Sequence, residues 1–346
     1  MSIIVFTSAA GSPGVTATTL GLACVWPRRA IAVEADPVGG SAMLAGFFGG
    51  FQHSARSLVD LVLAQRNGRL ADQWPANLVP LADTPASILP GPRSHAQARG
   101  VLELWQPLCS LWRAMDTRSG LPNRAGAMAA HQAPAVSPAP PPAPPAPGPS
   151  PSPAPSPSPQ PPAPRTLADP ASDAVVPDGT HEQPGLDVLI DAGRLGMGAY
   201  PEPVLASADL VVLVIRSDLV SLAAAKQWSE LARARRQDQP GSPPWVAVMI
   251  DPGHPYGPRE VATGLDLPVV SSIRRVLRGS ALQPENLTAR RPTPLMTDLM
   301  RCGQDIREEI VANRTPLEAA GSTPRRQGHD TKPSPANRPT SNGGAA

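Results

Sequence analysis

The chain has 346 residues, among them 47 prolines and 29 glycines, and is 41% hydrophobic but only 3% aromatic; part of it is expected not to fold, and the rest to build an Ala, Val and Leu core that favours α/β layers over an aromatic-rich β-sandwich. The formal charge of +2 argues against a nucleic-acid binder held by bulk electrostatics, and only Lys226 and Lys332 are lysines, so the first 225 residues contain none. Cys24, Cys109 and Cys302 are far apart without a C-x-x-C, which argues against a zinc site or disulfide framework; with no apolar run of 18 residues and no basic segment before the first apolar stretch, the expectation is a cytoplasmic protein without membrane span or cleaved leader.

In chain order, Ile3 to Thr7 reads as a buried strand and Val15 to Val25 as the helix that follows. Ala30 to Glu34 is the next strand. Short helices are expected over Ser41 to Phe48 and Ser57 to Gln65, and short strands over Leu78 to Leu81 and Ser87 to Leu89. Gln97 to Met115 reads as one continuous helix with Leu104, Leu108 and Leu111 on a face. From Pro134 to Pro164 there are 17 prolines in 31 residues, so backbone donors are missing and no large apolar side chain beyond Val136 is available to pack. Beyond it, Leu186 to Asp191 and Asp209 to Ile215 are the continuous apolar runs that parallel sheets bury on both faces. A helix over Leu219 to Arg235, strands over Trp245 to Ile250 and Pro268 to Ser271, and a helix over Pro294 to Val311 complete the pattern.

This alternation predicts an α/β fold with a doubly wound, mostly parallel sheet, split by an insert. The expected boundaries are 1–116 and 186–313 for the two parts of one domain, 117–185 for a disordered Pro/Ala/Ser-rich insert, and 314–346 for a disordered tail. A passive spacer and a ligand for a proline-reading partner both fit the insert.

The first strand runs into AAGSPGVTATT, where loop amides and a helix N-terminus present donors to an anion. Against G-x-x-x-x-G-K-[ST], Ala9 to Thr16 retains only the second glycine and the final threonine, and on this segment alone an ordinary β-α turn reads at least as well. Further signals follow in order: Val33-Glu34-Ala35-Asp36-Pro37, then LDVLIDAG ending the strand at Asp191, DLVVLVI with RSDLVSL after it, and GLDLPVVSSI. As an ordered set these segments resemble the MinD/ParA family of deviant-Walker P-loop ATPases, over about 240 residues.

The resemblance implies that Gly11, Ser12, Pro13, Gly14, Val15, Thr16 and Ala17 form the phosphate loop and its helix start. It implies that Thr16 and Asp191 serve Mg²⁺, that Asp36 positions the attacking water, and that ATP with Mg²⁺ is the cofactor. Glu34 replaces the first acid of the family's D-x-D-P. Both lysine positions are lost, to Ala10 and Val15. A lysine about 4 Å from a phosphate charge is worth roughly 4 kcal/mol at an effective dielectric near 20, and half of that is about thirtyfold in affinity. Pro13 removes one further donor. Little or no hydrolysis is therefore expected, unless Arg93 or Arg194 replaces the missing charge; a surface role suits each of them as well. The implied function is positioning, partitioning or scaffolding by a degenerate ATPase, as a homodimer, with nonspecific DNA contact not favoured. The rivals are an active ParA-type ATPase in chromosome or plasmid partition and a Rossmann-type oxidoreductase, the latter disfavoured by the absence of G-x-G-x-x-G after the first strand.

Overall fold

Strand β1 (Ile3–Ser8) is buried at all six positions, because it lies inside an eight-stranded sheet with helices on both faces. The computed structural model describes residues 1–11, 14–41, 43–44, 57–81, 84–116, 185–239, 241–252, 255–275 and 291–321. The chain divides into two units, Met1–Ala114 with Pro184–Ala346, and Met115–Gln183. Of the second only Met115 and Asp116 are among the described residues.

The other strands are β2 (Arg29–Glu34), β3 (Val79–Pro80), β4 (Ser87–Leu89), β5 (Leu186–Arg194), β6 (Leu210–Arg216), β7 (Trp245–Ile250) and β8 (Val269–Ile273). Their order is β3-β4-β2-β5-β1-β6-β7-β8, and every pairing is parallel except β3 with β4. The chain leaves β1 for β2 but β5 lies between them, so the carboxyl ends of β1, β5 and β2 flank a crevice of the kind in which open α/β sheets bind ligands.

Helix α1 (Val15–Val25) and the final helix, here α9 (Pro294–Gly321), cover one face, where Ile4, Phe6, Leu20, Leu22, Leu299 and Ile306 share a cluster. Ile3 and Val5 point to the other face and are equally buried, which is why the strand reads as an unbroken apolar run. That second face departs from the expected Ala, Val and Leu core. Trp74, Trp105 and Trp112 are each at most 2% exposed, and Trp74 meets Trp112 edge to face at 6.2 Å and 77°.

Helices α2 (Leu58–Arg66) and α3 (Leu70–Gln73) precede β3; Ser57 caps α2, accepting from Val59 N, and Asp60 accepts from Ser57 N. The helix expected over Gln97 to Met115 is broken into α4 (His95–Gly100), a 3₁₀ turn over Leu102–Leu104, and α5 (Trp105–Asp116). Pro107 explains the break: it has no N–H to give the Glu103 carbonyl and its ring would clash there, but it is tolerated in the first turn of α5. Helices α6 (Glu202–Ala206) and α8 (Pro258–Leu265) lie in segments with no predicted element, whereas α7 (Leu219–Asp238) fulfils its pattern. The last helix runs to Gly321. Residues 322–346, and the insert over 117–184, lie outside the described residues. Among the described residues no helix is long and apolar enough to cross a membrane, and all three cysteines are free and buried.

Both chain ends that flank 117–184 sit at the amino edge of the strands. Arg113 of α5 donates to Asp209 and to the Ser207 carbonyl at the start of β6. Asp187, at the start of β5, accepts from Ser2 N and Trp26 Nε1, with Arg28 at 3.5 Å. Arg28 therefore belongs to the pole opposite the crevice.

Candidate functional site

Between β1 and α1 the chain turns through Gly14, whose φ of +101° suits glycine, and Gly14 also stands at the helix N-cap with no side-chain cap. Helix geometry leaves the N–H groups of Val15, Thr16 and Ala17 without intrahelical acceptors, and no acid lies in the first turn to occupy them. Donors and the positive end of the dipole thus face the crevice. Gly11 is exposed, and Ala10, Gly14, Thr16 and Ala17 are half-buried. Ser12 and Pro13 lie outside the described residues. The Val15 side chain is 6% exposed and belongs to the hydrophobic core, so only its backbone is available to a ligand.

Asp191 stands in β5 between Phe6 of β1 and Glu34 of β2. Its Oδ1 accepts from Gly193 N at 3.0 Å, while Oδ2 is buried without a partner of hydrogen-bond geometry. Burial pushes this carboxyl up from 3.8 to about 7; the nearby Thr16 hydroxyl opposes the rise, and Asp36 and Glu34 add to it. Asp36, just past β2, accepts from Val38 N at 2.9 Å and is also raised by burial.

A bulge brings the two acids together. Phe6 pairs with Asp191 but Ser8 with Arg194, so β5 carries one extra residue, and Gly193 there has φ +64°. A Cβ on Gly193 would lie 2.5 Å from Asp36 Cγ. Only glycine permits this approach. The bulge is held from behind, since Thr7 Oγ1 donates to the Gly193 carbonyl at 3.0 Å and the buried Tyr200 hydroxyl donates to Thr7 Oγ1 at 2.9 Å.

Glu34 has a different task from its neighbours. It is 3% exposed, and its carboxylate accepts from Ser41 Oγ at 2.6 Å, Met43 N at 3.2 Å and Gly91 N at 3.1 Å, while burial still raises its pKa. These bonds anchor the far end of the loop that carries Asp36.

The structure therefore brings Gly14, Thr16, Asp36 and Asp191 to one end of the sheet. Arg93 and Arg194 are both exposed, the first after β4 and the second at the last residue of β5. Gly193, Tyr200, Thr7 and Ser41 were missed in the sequence; the A-G pair after Asp191 was the available signal for the bulge. Among the described residues no group of three or more His, Cys, Asp and Glu side chains could hold a metal ion alone. The unpartnered Asp191 Oδ2 beside the Thr16 hydroxyl does suit a hydrated divalent cation that takes its remaining oxygens from a ligand.

The septum site-determining protein MinD of Pyrococcus horikoshii OT3, solved as its Mg-ADP complex, is similar in structure, with a TM-score of 0.54 at 14% identity over 90% of this chain and 98% of that one. The fold is that of the MinD/ParA-like P-loop ATPases. A ParA family ATPase from Chlorobium tepidum TLS matches with a TM-score of 0.50 at 12% identity, over 88% of this chain and 97% of its own. Cobyrinic acid a,c-diamide synthase of Mycobacterium smegmatis, with bound ATP analog and magnesium, gives 0.51 at 13%, over 89% and 95%. No protein-family model matches the sequence, and no curated protein matches it either.

Proposed function

We propose that this chain is a MinD/ParA-like protein that binds Mg-ATP weakly, hydrolyses it little or not at all, and acts in intracellular positioning or partitioning or as a scaffold. The observation that carries the reading is an open helix N-terminus facing Asp36 and Asp191, with an alanine and a core-buried valine where charged phosphate contacts are expected. The backbone N–H groups of Gly11, Gly14, Val15, Thr16 and Ala17 would hold the phosphates, Thr16 and Asp191 would hold the cation, and Asp36 would orient water. When bound, Mg²⁺ would supply neutralising charge to the phosphate oxygens. Without a lysine, charge developing on the transferred phosphoryl in the transition state lacks its main partner, so hydrolysis suffers more than binding.

The same reading has the chain act as a cytoplasmic homodimer, with partners engaged through 117–185 and nonspecific DNA binding disfavoured by a net charge of +2. A MinC:MinD complex of Aquifex aeolicus, whose structure is also similar, shows one such partnership in another protein.

One observation favours the rival, a working partition ATPase: Arg194 ends β5 at the same edge as Asp191 and is exposed. Calorimetric titration of the full chain with Mg-ATP, paired with a phosphate-release assay, separates the two. Weak binding with phosphate release at background is expected; turnover that disappears in Asp36→Ala overturns the degenerate reading.

A further inference from the structure

The turn between β4 and α4 touches the Asp36 loop at several points. Pro90 and Pro92 flank Gly91, all three are buried, and the Pro90 carbonyl accepts from Leu58 N at 3.1 Å, so this turn is fixed by its own rings and by α2. Gly91 N donates to Glu34 Oε2, and a Cβ on Gly91 would lie 2.3 Å from the Glu34 carbonyl oxygen. Five residues beyond Glu34, a Cβ on Gly39 (φ +79°) would meet Ser94 N at 2.8 Å. These are backbone-to-backbone contacts with no room for a side chain.

His95 adds a side-chain tie of its own. Its Nδ1 stands 3.3 Å from the Pro37 carbonyl, which can only accept, so the hydrogen bond requires the proton on Nδ1. The adjacent ring carbon Cε1 lies near Gly198, 3.8 Å from where a Cβ on that glycine would stand. Pro37 adjoins Asp36, and Gly198 lies in the segment that follows Asp191 and Gly193. The imidazole therefore ties the Asp36 loop to the Pro90–His95 turn and lies close to the segment that follows Gly193.

We propose that His95 is a positioning residue: by holding the Pro37 carbonyl against the rigid Pro90–His95 turn, it keeps Asp36 seated on Gly193 and thereby sets the affinity of the crevice for a metal-bound triphosphate. The affinity part rests on the nucleotide reading above; the seating part does not. A histidine here works through length and geometry. An alanine loses the tie, while the amide nitrogen of asparagine reaches nearly the position of Nδ1 and can donate the same bond.

The test uses the full chain as wild type, His95→Ala and His95→Asn, with amide exchange followed at Val38 and Gly39, Mg-ATP affinity by calorimetry, and urea midpoints as the control. In His95→Ala the exchange should quicken and the Mg-ATP dissociation constant rise, each roughly fivefold, as expected for one hydrogen bond lost. Stability in urea should fall by no more than this one bond, about 1 kcal/mol, and His95→Asn should restore all three quantities. Exchange unchanged in His95→Ala, no rescue by His95→Asn, or a loss of stability well beyond one bond would each overturn the proposal. If the wild type binds no Mg-ATP, the nucleotide reading and the affinity part fail, and exchange alone decides whether His95 seats the loop.

Discussion

Replacing Asp191 with Asn should stabilise the protein in a strongly pH-dependent way. The carboxyl is 0% exposed, and burial with two neighbouring acids lifts it from 3.8 to about 7. A group whose pKa is raised on folding contributes stability that is complete below its unfolded pKa and is lost as pH rises through its folded one. For Asp191 the loss amounts to about 4 kcal/mol in all, at roughly 1.36 kcal/mol per pH unit, of which about 2–3 kcal/mol falls between pH 5 and pH 8. Asparagine does not ionise; its oxygen can still accept from Gly193 N, and its amide can donate towards the Thr16 hydroxyl. Urea denaturation of both proteins across this range should show the variant gaining about 2–3 kcal/mol on the wild type as pH rises. Taking the difference cancels the titrating groups that do not interact with Asp191; Asp36 and Glu34, which do, remain in it. A difference independent of pH, or one growing in favour of the wild type, would refute the argument that this acid is held against its own ionisation. The same variant should lose Mg-ATP affinity.

Gly193→Ala combines a left-handed φ of +64° with a Cβ placed 2.5 Å from Asp36 Cγ; a loss of roughly 2–4 kcal/mol is expected in urea, together with loss of Mg-ATP binding. Val15→Lys should not restore catalysis, because the position faces the core at 6% exposure; it should cost roughly 2 kcal/mol or more in stability with phosphate release still at background, and a stable variant that turns over ATP would contradict the orientation found. Asp209→Asn weakens a carboxylate that accepts from Ile3 N, Arg113 and Arg314. A loss of about 1–3 kcal/mol is expected, and a neutral result would show that this network contributes nothing.

The central strands were legible because a parallel strand covered on both faces must be largely apolar: IIVF and LVVLVI are so throughout, and LDVLI is broken only by Asp187 at its amino end. The sequence put Asp36 just past a strand and Asp191 at the end of one, although β5 runs on through the bulge to Arg194. The break between α4 and α5 was hidden because the spacing of Leu104, Leu108 and Leu111 continues through it; Pro107 was the signal, and it outweighs periodicity. Val15 matched a phosphate-contacting position by alignment, yet an apolar side chain at a helix start beside a sheet turns inward. The partners of Glu34 were not legible at all. Gly91 lies 57 residues away, and no local pattern encodes a bond between them. The Gly193 bulge is likewise a property of register between two strands, visible only once β1 and β5 are paired.

A crystal structure of the full chain with Mg²⁺ and a non-hydrolysable ATP analog tests the central claim most directly. The account predicts phosphates seated on the N–H groups of Val15, Thr16 and Ala17, the cation beside Thr16 and Asp191, and no arginine or lysine side chain on the terminal phosphate. An analog bound elsewhere, a crevice still empty at millimolar analog, or Arg93 or Arg194 gripping the terminal phosphate would contradict it.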